Sequence, residues 1–263
     1  LVIYKTAEEI ELLRLSNLMT IQAIAEVAKN IKPGISTLKL DKIAHDFIFD
    51  NHGVPAFLGY DEFPNTLCIS VNEQVVHGIP SKYELKEGDL VSIDCGVLLN
   101  RFFGDAAYSF PVGQADKKVL NLLKVTKEAL FKGIEAATEG RKLGAIGNAV
   151  QTHVEQNGYN VVRTVYGHGI GQELHEFPDV PNFGNKRKGI ELKRGMVLAI
   201  EPMVTSGKKD VYTLDDDWTI VTKDKSLAAH FELSVAITND KAEILAPFDA
   251  IELIMGEKLK TNI

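Results

Sequence analysis

The chain has 263 residues, 45% of them apolar, enough for one large domain or two fused halves around a substantial core. A net charge of −7 argues against the basic surface of a nucleic-acid binder, two cysteines are too few for a disulfide framework, and no run of about 18 apolar residues offers a membrane span. The opening residues lack the cationic and apolar stretches of a signal peptide, so a reducing cytoplasm is the expected compartment.

Thr6 followed by Glu8 and Glu9 predicts the capped start of an amphipathic helix, with Ile10, Leu13, Ile21, Ile24 and Val27 at helical intervals and Lys32, Pro33 and Gly34 ending it. A second helix is expected from Ser36 or Thr37, burying Leu40, Ala44, Phe47 and Ile48 and stopping between Asn51 and Gly53. A loop rich in proline, glycine and aromatics follows. Val91, Ile93 and Cys95 alternate with Ser92, Asp94 and Gly96, the period-two pattern of a strand, and Asn100 to Gly104 supplies a turn. Helical patterns return over 117–135 and 143–156, before strands expected near 161–165, 197–204 and 231–237.

The chain repeats itself. Leu85, Lys86, Gly88, Ile93 and Asp94 match Leu192, Lys193, Gly195, Ile200 and Glu201 at an offset of 107. Gly34, Leu40, Ala44, Ile48 and Asn51 match Gly140, Ile146, Val150, Val154 and Asn157 at 106. Chance likeness between generic αβ segments is the bland alternative, but the order helix, loop, strand ending in a carboxylate occurs twice. The expected organisation is one unit over 1–263, with repeats at roughly 10–110 and 117–240 facing each other across a central site.

Five residues could supply the chemistry of that site: Asp94, Asp105, His168, Glu201 and Glu232. Any single carboxylate is more often a solvated surface residue. Here Asp94 shares its strand face with Ser92 and Gly96, and Glu232 shares its face with Ser234 and Ala236, so small neighbours leave room beside each. Glu201 lies between Ile200 and Pro202 in an apolar stretch, where an unpaired anion costs several kcal/mol, and so needs a cation. Asp105 follows Asp94 by eleven positions, within reach of a strand, turn and strand, and His168 is framed by Gly167, Gly169 and Gly171, which leave its imidazole accessible. Four carboxylates offset two divalent cations, a centre able to acidify a water into a hydrolytic nucleophile. A mainly oxygen donor set with one nitrogen leaves manganese, cobalt, iron and zinc open.

Taken together, these residues resemble the type I methionine aminopeptidases, metallopeptidases of the pita-bread fold, from the first helix to about Leu245. The resemblance rests on Asn72 to Pro80 with His77, Ser92 to Gly96 with Asp94, Gly104 and Asp105, Gly167 to Gly171, His175, Ile200 to Met203, and Phe231 with Glu232, in that order and spacing. It implies an α+β fold in which two pseudo-symmetric αβ halves surround a central curved antiparallel sheet with helices on its outer face. It implies that Asp94, Asp105, His168, Glu201 and Glu232 hold two divalent metal ions, cobalt, manganese, iron or zinc, and that Glu201 accepts a proton from the attacking water. His175 would hydrogen-bond the scissile carbonyl and developing oxyanion, and His77 would position the peptide nitrogen and assist the leaving amine. Without the family, either histidine reads more simply as structural. Tyr60, Phe63, Cys68, Leu174 and Trp218, with Phe57 nearby, would wall an apolar pocket for the methionine side chain, although Phe57 and Phe63 read equally well as core. The implied reaction removes the initiator methionine when the second residue is small. The implied protein is a cytoplasmic monomer whose partner is a peptide with a free amino-terminal methionine, including ribosome-associated nascent chains, and neither nucleic acid nor membrane.

The chain departs from the family pattern at His230, where glutamine is expected, at Leu233 and Ser234 in place of a His-Thr pair, at Leu174 in place of an aromatic, and at Phe57 in place of a small residue. These changes bear on pocket shape and leave all five ligands intact. Only 31 positions separate Glu201 from Glu232, too few for the insertion of the type II enzymes, and the short leading segment resembles bacterial forms. Two further readings share the fold. An Xaa-Pro aminopeptidase or prolidase usually carries a leading domain that the roughly 75 residues before His77 do not accommodate. A non-catalytic pita-bread binding module is expected to have lost its ligands.

Overall fold

The structure, a computed structural model, describes residues 1–261. Helix α1 (Ala7–Asn30) begins where its sequence cap lies: the Thr6 hydroxyl accepts the Glu9 N–H, and the Glu9 carboxylate accepts the Thr6 N–H. Helix α2 (Thr37–Asp50) is capped by the Ser36 hydroxyl. Helices α3 (Lys117–Ala136) and α4 (Gly144–Gln156) follow the sequence pattern to within a residue or two. A fifth helix, α5 (Asp249–Thr261), lies beyond the elements foreseen from sequence.

A nine-stranded antiparallel sheet occupies the centre. Its path runs Val54–Pro55, Leu90–Leu99, Phe102–Pro111, Glu232–Ile237, Val197–Ile200, Gly167–Gly169 and Glu176–Val180, with Leu67–Val71 and Ala242–Ile244 pairing alongside. One face is apolar: Val91, Ile93, Cys95, Ala106, Tyr108, Phe110, Leu198, Ile200, Leu233 and Val235 join the main core with residues of α1 to α4. Helices therefore cover this face, and the opposite face is left for the site. Two three-stranded sheets flank it, one of Asn160–Val161, Met203–Thr205 and Ala228–His230, the other of Gln74–Val76, Val211–Thr213 and Ile220–Thr222.

Three strand expectations need correction. The turn expected over Asn100 to Gly104 is only Asn100–Arg101, both at positive φ (52° and 71°), a two-residue hairpin loop whose twist suits the strands, so Phe102, Phe103 and Gly104 already pair. The strand expected over 161–165 is confined to Asn160–Val161. The strand expected over 197–204 is broken after Ile200, because Pro202 has no N–H to continue the ladder, and Met203–Thr205 pairs in a different sheet.

The repeat recurs as hydrogen bonds. Gly34 N–H donates to the Leu85 carbonyl and Leu85 N–H to the Ile35 carbonyl; Gly140 donates to Leu192 and Leu192 to Arg141 in the same way. Gly34 and Gly140 have φ of 85° and 79°, and Gly88 and Gly195 have φ of 85° and 87°, backbone conformations that favour glycine at both ends of each repeat.

Candidate active site

Strand register assembles the carboxylates. Asp94 and Glu232 both pair with Ala107, from opposite sides, and the ladder that matches Leu233 with Ile200 carries Glu201 to the position opposite Glu232. Asp94, Ala107, Glu232 and Glu201 thus form one row across four strands. Because side chains alternate with period two, Asp105 lies on the same face two residues before Ala107, opposite Gly96. His168 comes from the next strand, beside Gly169, whose partner is Leu198. Its Nε2 stands 3.7 Å from Asp105 Oδ2 and 3.8 Å from Glu201 Oε1. Its Nδ1 lies 2.9 Å from the Gly169 carbonyl, which can only accept, so the proton sits on Nδ1 and the Nε2 lone pair faces the carboxylates.

Polar side chains pin this row, among them Asn17, Ser109 and Asn182, which the sequence did not single out. Asn182 Nδ2 donates to the Glu201 carbonyl, Asn17 Oδ1 accepts the Asp105 N–H, and the Ser234 hydroxyl donates to the Asp105 carbonyl. Ser109 donates to the His230 carbonyl and accepts the His230 N–H; its one proton being committed, Ser92 donates to Ser109 at 2.7 Å. Buried polar residues within apolar stretches were the available signal. Gly104 makes the approach of α1 possible, since a Cβ there would lie 2.4 Å from the Asn17 nitrogen.

The electrostatics call for cations. Asp94 Oδ1, Asp105 Oδ1 and Glu232 Oε1 are buried without a hydrogen-bond partner. Burial, then repulsion from Glu201, raises Asp94 to about 7 despite the opposing pull of His230. Burial followed by repulsion from neighbouring carboxylates raises Asp105 and Glu232 well above the usual carboxylate range. Burial also pushes Glu201 upward, but His230, His168 and His77 together outweigh it and hold this carboxyl below its ordinary value. One oxygen each of Asp105 and Glu232 groups with a nitrogen of His168 within 4.8 Å, and Glu201, His230 and Glu232 form a second such group. Orphaned oxygens and one aimed nitrogen fit hard to borderline divalent cations. His230 was noted in the sequence only as a departure; its buried Nε2 lies 3.3 Å from Glu201 Oε2.

Above the row opens a cavity of about 390 Å³ whose lining includes every candidate ligand, catalytic and pocket residue expected from the sequence: Phe57, Tyr60, Phe63, Cys68, His77, Asp94, Asp105, His168, Leu174, His175, Glu201, Trp218 and Glu232. Phe57, Phe63, Cys68 and Leu174 form one apolar cluster, with Tyr60 and Trp218 against it, together with Ala56, Ile79 and Phe103, which the sequence reading missed. Trp218 meets Phe63 edge-on at 5.1 Å and His77 at 6.1 Å. His77 holds a φ of 59°, a strained conformation of the kind that gathers at functional sites, and burial lowers its pKa. His175 stands at the mouth, its ring edge-on to His168 at 4.3 Å; desolvation, and then the neighbouring His168, lower it to about 4, so it is neutral at pH 7.

The model of metallopeptidase family M24 matches residues 11–239. The methionine aminopeptidase of Clostridium acetobutylicum is 48% identical over 246 residues, covering 93% of this chain and 98% of the relative, and methionine aminopeptidase 1 of Bacillus subtilis is 47% identical over 245 residues, covering 93% and 99%. The crystal structure of the methionine aminopeptidase from Rickettsia prowazekii superposes with a TM-score of 0.93 at 37% identity, covering 94% of this chain and all of that one. The prolidase of Pyrococcus horikoshii, at 22% identity and a TM-score of 0.75, shares the fold, and this chain spans 63% of its length. The curled antiparallel sheet with helices on one face is the pita-bread fold, and with a family match running from α1 past the strand Glu232–Ile237, this chain belongs to metallopeptidase family M24.

Proposed function

We propose that this chain is a methionine aminopeptidase that removes an amino-terminal methionine preceding a small residue. The observation that carries the reading is a row of three carboxylates, with Asp105 on the same face and one aimed imidazole, beneath an apolar, partly sulfur-lined cavity. The activity named for the relatives supports it. Asp94, Asp105, His168, Glu201 and Glu232 are the proposed metal ligands. A pair of divalent cations held there would supply Lewis acidity, polarising the scissile carbonyl and acidifying the attacking water.

The chain's own residues do the rest. Glu201, kept ionised by three nearby histidines, accepts the water's proton. His175, neutral at the cavity mouth, donates to the carbonyl oxygen as negative charge develops. His77 orients the peptide nitrogen and assists departure of the amine. Phe57, Tyr60, Phe63, Cys68, Leu174 and Trp218 enclose a flexible thioether side chain and offer no partner for a charged one. Among the described residues no helix is long and apolar enough to cross a membrane. A cytoplasmic monomer acting on nascent chains is part of the same proposal.

Comparing hydrolysis of Met-Ala-Ser and Ala-Pro peptides tests the reading. Release of methionine from the first with little cleavage of the second is expected. Preference for the proline peptide would transfer the chain to the Xaa-Pro enzymes, and metal-loaded protein inert toward both would leave a binding module.

A further inference from the structure

Tyr60 and His175 lie 115 positions apart, yet Tyr60 Oη sits 2.7 Å from His175 Nδ1, with the rings edge-on at 5.2 Å. The phenol is held for this contact. Gly59 N–H donates to the Phe63 carbonyl, Tyr60 N–H to the Phe57 carbonyl and Phe63 N–H to the Tyr60 carbonyl, closing a tight turn. Gly59, Asp61 and Glu62 accept φ of 83°, 44° and 69° within it. A turn strained at two non-glycine positions is a costly way to present an aromatic wall that Phe63 and Trp218 already supply.

We propose that Tyr60 is a positioning residue that fixes the tautomer of His175: its hydroxyl donates to Nδ1, which leaves the imidazole proton on Nε2 as the donor offered to the substrate carbonyl. This deepens the proposed peptidase reading and rests on it for the role of His175. Phenol is a much stronger acid than a neutral imidazole N–H, and the basic imidazole nitrogen is the better acceptor, so the proton of this bond belongs to the oxygen. Which ring nitrogen carries the proton is set by the bond the other one makes.

The neighbouring histidine supplies the contrast. His168, its ring 4.3 Å from that of His175, faces a carbonyl that can only accept, which puts its proton on Nδ1 and a lone pair on Nε2. His175 faces a hydroxyl that can donate, which puts a lone pair on Nδ1 and the proton on Nε2. Opposite partners thus make one ring suited to a cation and the other suited to an oxyanion. Without the hydroxyl, a neutral His175 would populate both tautomers, and the fraction bearing its proton on Nδ1 would present a lone pair to the developing negative charge.

Tyr60→Phe tests this, because it keeps the ring in the pocket wall and removes only the hydroxyl. Nitrogen-15 shifts of the histidine rings, recorded on metal-free protein near neutral pH, should report His175 as the Nε2–H tautomer in the parent and as a mixture in the variant. With Met-Ala-Ser, kcat should fall roughly tenfold, the scale of one lost hydrogen bond, while KM stays within about twofold. Tyr60→Ala should raise KM as well, since it also opens the wall. An unchanged tautomer in Tyr60→Phe, or a loss confined to KM, would overturn the proposal. If the parent cleaves no methionyl peptide, the peptidase reading fails, and the ring shifts alone then decide what the hydroxyl does.

Discussion

Lowering the pH from 7 to 6 should weaken divalent-metal binding at least about fivefold, because protons and cations compete for the same carboxylates. Asp94, raised to about 7 by burial and by Glu201, is about half protonated in the metal-free protein at pH 7 and about nine-tenths protonated at pH 6. Its ionised fraction therefore falls about fivefold over that unit, about 1 kcal/mol of apparent affinity. Asp105 and Glu232 are raised in the same direction, so the slope of log affinity against pH should lie between about one and about three. Stability follows with a definite sign. A carboxyl raised by folding binds more protons in the folded than in the unfolded state, so its contribution is complete below the unfolded value, near 4, and is lost as pH rises through the folded value. The metal-free protein should therefore lose stability between about pH 4 and about pH 7, and added metal should restore it most at the upper end. Calorimetric titration with manganese, in buffers of different ionisation enthalpy, measures affinity and released protons together. Asp105→Asn should bind more weakly and release fewer protons. Affinity independent of pH between about 5.5 and 7, with no proton release, would show that these groups are ionised beforehand or do not hold the metal.

His175→Ala should lower kcat on Met-Ala-Ser by roughly 100-fold if the ring stabilises the oxyanion; an effect on KM alone would assign it to substrate positioning. Lys5→Met would strip the partner from Glu176, whose side chain is 6% exposed, which adjoins His175 and also accepts the Gln172 N–H, and should cost about 3–5 kcal/mol in urea unfolding. Lys5→Met combined with Glu176→Gln should recover part of that loss, and a neutral single variant would contradict the buried pair. Gly96→Ala would set a Cβ 2.6 Å from Phe57 Cε1 and 2.9 Å from the Ala56 Cβ, so it should push the Phe57 ring into the cavity and raise KM for methionyl peptides. Phe57→Ala in the same chain should relieve it; an unaltered KM in Gly96→Ala would remove Phe57 from the pocket.

Much of this protein is local and so readable from the chain. Thr6 with Glu9, and Ser36, announce helix starts because a cap is satisfied within a few residues. Asp94 and Glu232 could be placed on the small-residue faces of their strands because side-chain direction alternates whatever the partner. The twofold offset announced two related halves, and the same hydrogen bonds recur in both. Residues 161–165 and 197–204 misled for the opposite reason: their apolar character is real, but where Pro202 interrupts pairing and which sheet receives each piece depend on distant partners.

Composition and spacing determined the first four helices, the strand faces and the inventory of candidate metal donors. Only the tertiary structure decided the register that sets Asp94, Glu232 and Glu201 in one row, and the pairing of Ile220 with Val76 that brings Trp218 to His77. It alone set Tyr60 against His175. The physical reason is range: capping and alternation are satisfied within a few residues, whereas register is chosen by which faces of far-apart strands can be buried together.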